Sequence, residues 1–309
     1  MKKIFLILII LLISVLIRLY YLLQIDPVIN ISSFSLNIVS IVLFWLFINT
    51  IFKQRTLIHL FSTLFLSISP WHIFLSKEGF AVNLMLIIVL IIMTLLIKYL
   101  YQNSIIFFVS ISICILFILF PSNFMQTTYR SIFQNPQLVW LTDEQIREHG
   151  SSSLILRVSH NKLTNYINVV FNNYSNHFSF QTLFLDGDLY QKNRISEMGL
   201  MYLFDSILIS LGLVYIIKTS NDYKPIIIWL LIAPIPTALS NNLQISLTSY
   251  SMVIPLIIIS GVGFYFCFAW ISKRIKQPCL RYLVFFIIFL LISWDVSRFL
   301  HQIYYHAIK

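Results

Sequence analysis

Charge is scarce in this sequence. Asp, Glu, Lys and Arg make up 10% of its 309 residues, against 59% hydrophobic residues. A soluble domain carries about 25% charged residues, so the composition excludes an ordinary water-soluble globular domain. Cysteine is scarce as well. Cys114, Cys267 and Cys279 show no metal-ligand spacing; two fall in apolar runs and one in a basic loop, which excludes a disulfide framework and leaves packing roles. Nucleophile elbows of the G-x-S-x-G kind, H-E-x-x-H zinc sites and phosphate loops are absent. So are internal repeats and low-complexity tracts. The first polar connection, "LLQIDPVINISSFSLN" from Leu22 to Asn37, holds one acidic residue, Asp26, and little else that could do chemistry.

What the chain has instead is a succession of apolar runs, several long enough to cross about 30 Å of hydrocarbon at 1.5 Å per residue. They predict an all-α polytopic membrane protein with about nine transmembrane helices, at 4–24, 35–53, 57–71, 81–101, 105–120, 200–217, 225–243, 249–271 and 281–298. The opening "MKKIFLILIILLISVLIRLYYLL" resembles a secretory signal in its basic start, but no small-residue cleavage site follows. Arg18 is succeeded by further apolar residues, so it reads as a retained first helix. Three regions result: five N-terminal spans in 1–120, an extracytoplasmic insertion at 121–199, and four C-terminal spans in 200–309.

The net charge of +10 raises nucleic acid as a partner, and its distribution argues against one. With the N-terminus cytoplasmic, one set of connections gathers Lys2, Lys3, Lys53, Arg55, Lys98, Lys218, Lys224, Lys273, Arg274, Lys276 and Arg281, opposed only by Asp222. That asymmetry is the positive-inside signature of topology. In the insertion the charges balance. "LTDEQIREHG" predicts a short helix opened by a Thr142–Gln145 capping box and closed at Gly150. Next, Asn161, Asn165, Asn168, Asn172 and Asn176 recur at helical spacing, with Leu163, Tyr166, Ile167, Val170 and Tyr174 between them. Such a helix suits the outer membrane surface, a cover over a cavity between the spans, or plain packing within a small outer domain.

Chemistry has few places to sit. In "SISPWHIFLSKEGFAVN", Pro70 ends a helix, and Trp71 and His72 suit the membrane interface. Lys77 and Glu78 put opposite charges at the membrane rim. Lys77 could hold a lipid phosphate or simply snorkel beside an aromatic belt. "FLDGDLYQKNR" contains Asp186 and Asp188 in an Asp-x-Asp spacing that binds a divalent cation in some transferases, though Asp-Gly is also an ordinary turn dipeptide. Asp205 and Asp295 lie near the outer ends of apolar spans, where ionisable groups are functional candidates or reach water. "NIS" at Asn30 and "NYS" at Asn173 match glycosylation sequons, a common chance match.

Taken in order, "SPWHIFLSKEGFAVN", "VWLTDEQIREHG", "HNKLTNYINVVFNNYSNHF", "LFLDGD", "MGLMYLF" and "APIPTAL" resemble the bacterial membrane glycosyltransferases of the GT-C superfamily, of the protein-mannosyltransferase and aminoarabinose-transferase type. The resemblance implies a multi-pass enzyme of the bacterial plasma membrane that takes a polyprenyl-phosphate-linked sugar donor and acts outside the cytoplasm. It also implies a catalytic carboxylate in the first outer loop as general base. The likeness stops near "QIDPVIN", so Asp26 is the only carboxylate of that loop, with Glu78 the alternative. Lys77 stands where relatives have Arg, and "SNNLQISLTSYS" lacks the His and Arg that relatives carry after the "PIP" segment.

The expected binding residues are Lys77, His72, Trp71, Asn161 and Asn165, and the expected partners are the donor and membrane lipids, with any partner subunit unspecified. A divalent cation stays open as a cofactor, and no metal ligand set is assigned. The alternative is a non-catalytic membrane scaffold or lipid-binding pseudoenzyme. A transporter or flippase fits less well, because no inverted repeat or paired Gly/Pro-broken span is present.

Overall fold

The computed structural model describes residues 2–25, 31–52, 55–77, 80–100, 132–149, 161–188, 195, 197–219, 224–241 and 244–306. Among them the fold is all-helical, with no strand. Helices Lys2–Ile25 (α1), Ile31–Ile51 (α2), Thr56–Ile68 (α3), Pro70–Phe74 (α4) and Phe80–Leu100 (α5) form the N-terminal group. Pro136–His149 (α6) and Lys162–Asn176 (α7) follow. The C-terminal group is Leu203–Thr219 (α8), Lys224–Ile232 (α9), Ile235–Ala238 (α10), Ile245–Thr248 (α11), Val253–Arg274 (α12) and Pro278–His306 (α13).

Among the described residues four stretches are long and apolar enough to cross a membrane: Phe5–Leu23, Ile31–Ile51, Tyr250–Arg274 and Pro278–Tyr305. Thr56–Ile68, Phe80–Leu95 and Pro225–Ala238 are apolar but shorter. The expected span at 105–120 lies outside the described residues.

α12 is the axis of the fold. Its first half is buried throughout, packed against α8 on one side and α3 on another. Close backbone approach carries this packing, as it does where small residues meet between apolar helices. Glycine permits it here: a Cβ at Gly263 would meet Leu208 O at 1.9 Å, and one at Gly212 would meet Ile259 O at 2.1 Å. α13 joins the body through its C-terminal half. Asp295 Oδ2 accepts from Phe204 N (2.9 Å), Arg298 Nη2 donates to Glu197 O (3.0 Å), and Phe299 and Ile303 are buried.

Two local expectations are corrected. The helix expected to run to residue 71 stops at Ile68. Ser69 takes an extended ψ of 128° ahead of Pro70, as a residue before proline prefers, and Pro70 opens α4. The capping box is also absent. α6 starts at Pro136, where Asn135 Oδ1 accepts from Gln137 N (3.0 Å), and Thr142 lies mid-helix, its hydroxyl donating to Leu138 O (2.7 Å).

Candidate functional site

The break at Ser69–Pro70 swings α4 into the bundle and carries His72 and Trp71 inward. Trp71 is 1% exposed and its Nε1 donates to Ser246 O (2.7 Å); His72 is fully buried. Neither is an interfacial anchor. A tryptophan whose only polar atom is paired inside the protein gains nothing from the headgroup region.

His72 belongs to a hub centred on Arg18 of α1, which is fully buried. Arg18 Nε donates to Asn37 Oδ1 (2.5 Å). Its Nη1 donates to Ser14 Oγ (2.6 Å) and Ser67 O (2.7 Å), and its Nη2 donates to His72 Nδ1. The opposite ring nitrogen of His72 then carries the proton and donates to Ser40 Oγ (2.9 Å), whose hydroxyl donates to Asn37 O (2.7 Å). Asn37 Nδ2 donates to His72 O (3.0 Å) and Asn83 Oδ1 (3.1 Å), and Asn83 Nδ2 donates to Ser33 Oγ (2.8 Å) and Leu75 O (2.8 Å).

The five helices α1 to α5 are thus tied by one continuous polar network. Burial, and then the neighbouring guanidinium, hold the His72 imidazole well below its ordinary pKa. Among the described residues no carboxylate hydrogen-bonds to Arg18. Its charge is spread over neutral acceptors, an arrangement that stands only when every polar group is satisfied.

The second feature is an apolar groove. Phe133, Leu163, Tyr166, Ile167, Val170, Phe171, Tyr174, Ile235 and Ala238 enclose about 370 Å³ between α7, α10 and the 3-10 turn Ile132–Gln134. α7 is pinned beside it from both ends. Asn161 caps the helix, its Oδ1 accepting from Leu163 N (2.7 Å), and Asn165 Nδ2 donates to Thr142 Oγ1 (2.9 Å) and Gln145 Oε1 (3.0 Å) on α6. Asn173 Nδ2 donates to Ala238 O (3.2 Å). Asn161 and Asn165 therefore have architectural partners. Burial lowers the pKa of His177, which is fully buried just past the helix; its Nδ1 donates to Asn173 O (2.8 Å).

Lys77 is half-buried in the turn after α4. Trp71, His72 and Lys77 do not line the groove, so the structure does not gather them with α7 around one cavity. Asp26 and Glu78 lie outside the described residues.

Buried Asp188, Asp205 and Asp295 accept from backbone and hydroxyl donors, and exposed Asp186 accepts from a side-chain amide. Asp186 Oδ2 accepts from Gln181 Nε2 (2.5 Å), whereas Asp188 Oδ2 accepts from Ser246 N (2.7 Å) and Ser246 Oγ (2.6 Å). Gly187, at φ 75°, makes the turn that separates the pair. Among the described residues no group of three or more His, Cys, Asp or Glu could hold a metal ion. Asp205 Oδ1 accepts from Ser260 Oγ (2.6 Å) and Asp295 caps α8, so neither serves merely as a solvated rim charge.

Arg18, Asn37 and Asn83 escaped sequence reasoning. The signal for Arg18 was present, since an arginine inside an apolar span is costly unless paired. Nothing comparable marked the two asparagines, whose role depends on which helices meet.

The chain matches no known protein-family model, no curated protein and no solved structure.

Proposed function

We propose that the chain is a multi-pass membrane glycosyltransferase homologue of the GT-C type, with about nine spans and a cytoplasmic N-terminus, that binds a polyprenyl-phosphate-linked sugar. The observation that carries this reading is the groove. An apolar trough of about 370 Å³ beside an amide-rich helix whose one charge is Lys162 at its first position suits the hydrocarbon tail of such a donor. The ordered set of family-like segments from Ser69 to Leu239 supports it independently. In the proposed chemistry Asp26 or Glu78 takes the proton from the acceptor hydroxyl as it attacks the anomeric carbon, and Lys77 steadies the departing phosphate.

A specific observation favours a second reading, a non-catalytic lipid-binding module. Asp188, Asp205 and Asp295, the buried carboxylates among the described residues, all accept structural hydrogen bonds. The deciding experiment measures sugar transfer and donor binding by purified protein in lipid vesicles, across a panel of polyprenyl-phosphate sugars. Transfer abolished by Asp26→Asn or Glu78→Gln supports the enzyme. Donor binding without transfer supports the lipid-binding module, and absence of both refutes the two readings together.

A further inference from the structure

The surface of α7 divides into three sectors, more than an ordinary packing helix needs. One faces the protein and holds Asn173, with His177 just beyond it, both buried. A second is apolar and open: Leu163 is 63% exposed, Ile167 57% and Phe171 66%. The third is polar and open, with Asn168, Asn172 and Ser175 exposed. At about 100° per residue the two open sectors lie side by side rather than opposite each other. A helix lying where apolar and aqueous media meet presents these three sectors.

We propose that α7 lies flat in the membrane interface, with Leu163, Ile167 and Phe171 among the lipid acyl chains and Asn168 and Asn172 in water. Three observations point to lipid as the occupant of the open apolar sector. The first is continuity. Tyr174 Oη donates to Leu231 O (2.9 Å), and exposed Leu231 and Ile235 belong to the apolar stretch Pro225–Ala238, so the hydrocarbon that covers that stretch extends over α7. Second, Lys162 is the sole charged residue of α7, and it sits at the first position. Third, the neighbouring α6 changes character along its length. Trp140 (65% exposed) and Leu141 precede the exposed charges Asp143, Glu144, Arg147 and Glu148. The interface then crosses α6 just after Leu141, with Trp140 in the headgroup region that tryptophan favours. The proposal stands whether or not the chain transfers sugar.

Nitroxide labels test it in a background with Cys114, Cys267 and Cys279 changed to serine. Leu163→Cys, Ile167→Cys, Phe171→Cys, Asn168→Cys and Asn172→Cys are labelled singly in phosphatidylethanolamine–phosphatidylglycerol vesicles. Collision with dissolved oxygen is compared with collision with a water-soluble nickel chelate. All five positions are exposed, so the labels disturb no core contact. Oxygen is expected to dominate at 163, 167 and 171 and nickel at 168 and 172, a reversal between adjacent residues 167 and 168. Nickel access at 163, 167 and 171 would overturn the proposal by placing that face in water. Protection from both reagents would overturn it too, by placing protein on that face.

Discussion

Replacing Asn37 with leucine tests the hub most directly. The substitution roughly conserves volume and leaves three groups without partners in a closed interior: Arg18 Nε, the carbonyl of His72 and Asn83 Oδ1. Each buried orphan costs about 1–3 kcal/mol, and more where the group is charged. Allowing for partial relaxation, the loss is about 3–6 kcal/mol. For a chain this long that lowers the unfolding midpoint by about 5–10 °C, since a kcal/mol shifts larger proteins by only a degree or two.

The assay is thermal unfolding in lipid nanodiscs, completed as a double-mutant cycle with Arg18→Met. The two side chains share a hydrogen bond, so the double variant should lose clearly less than the sum of the single losses, by about 0.5–3 kcal/mol. A midpoint unchanged by Asn37→Leu, or strict additivity with Arg18→Met, would refute the hub as an energetic unit.

Three further outcomes follow from the same geometry. His72 is held neutral in the fold, while the unfolded chain takes up a proton near pH 6.5, so stability is fully present above that pH and falls as the pH drops below it. The slope approaches about 1.4 kcal/mol per pH unit. His177 adds a decline of the same sign, so His72→Gln, which can still accept from Arg18 and donate to Ser40, should soften the acid sensitivity without abolishing it; an identical acid profile would contradict this. Gly263→Ala should sharply reduce folded protein recovered from membranes, because its Cβ meets the Leu208 carbonyl; recovery equal to the parent would show that the α8–α12 contact is looser than described. If the chain is an enzyme, Lys77→Ala should mainly weaken use of the phosphate-linked donor and Asp26→Asn or Glu78→Gln should cut turnover by about two to four orders of magnitude, as steady-state transfer kinetics would report.

The helical fold and its long apolar helices were legible in the sequence because hydropathy is a sum over many residues and survives local error. α7 was legible for a similar reason, as its asparagine and aliphatic periodicities run together over fifteen residues. The functions of single residues were not. Trp71 and His72 sit at the end of an apolar run, where aromatic residues often mark an interface, but the Pro70 break redirects them inward. That outcome depends on Ser246 and Arg18, both distant in sequence. The partners of Asn161 and Asn165, Leu163 N within α7 and Thr142 with Gln145 on α6, could not be read from the sequence. Thr142 with Gln145 carried a capping-box spacing, yet Pro136 had already opened the helix.

The cap that Asp295 places on Phe204 has a consequence for biosynthesis. Donor and acceptor lie 91 residues apart, and a ribosome adds about 5–20 residues per second. The start of α8 therefore waits roughly 5–20 s, on that elongation rate, before its cap has been made. The hydrogen-bond partners of Arg18 all precede Asn83, so they are in place while α8 is still being synthesised, whereas the anchor of Trp71 on Ser246 comes later. A nascent chain halted before α13 would carry a settled first half and a C-terminal half that the quality-control machinery can still recognise as unfinished.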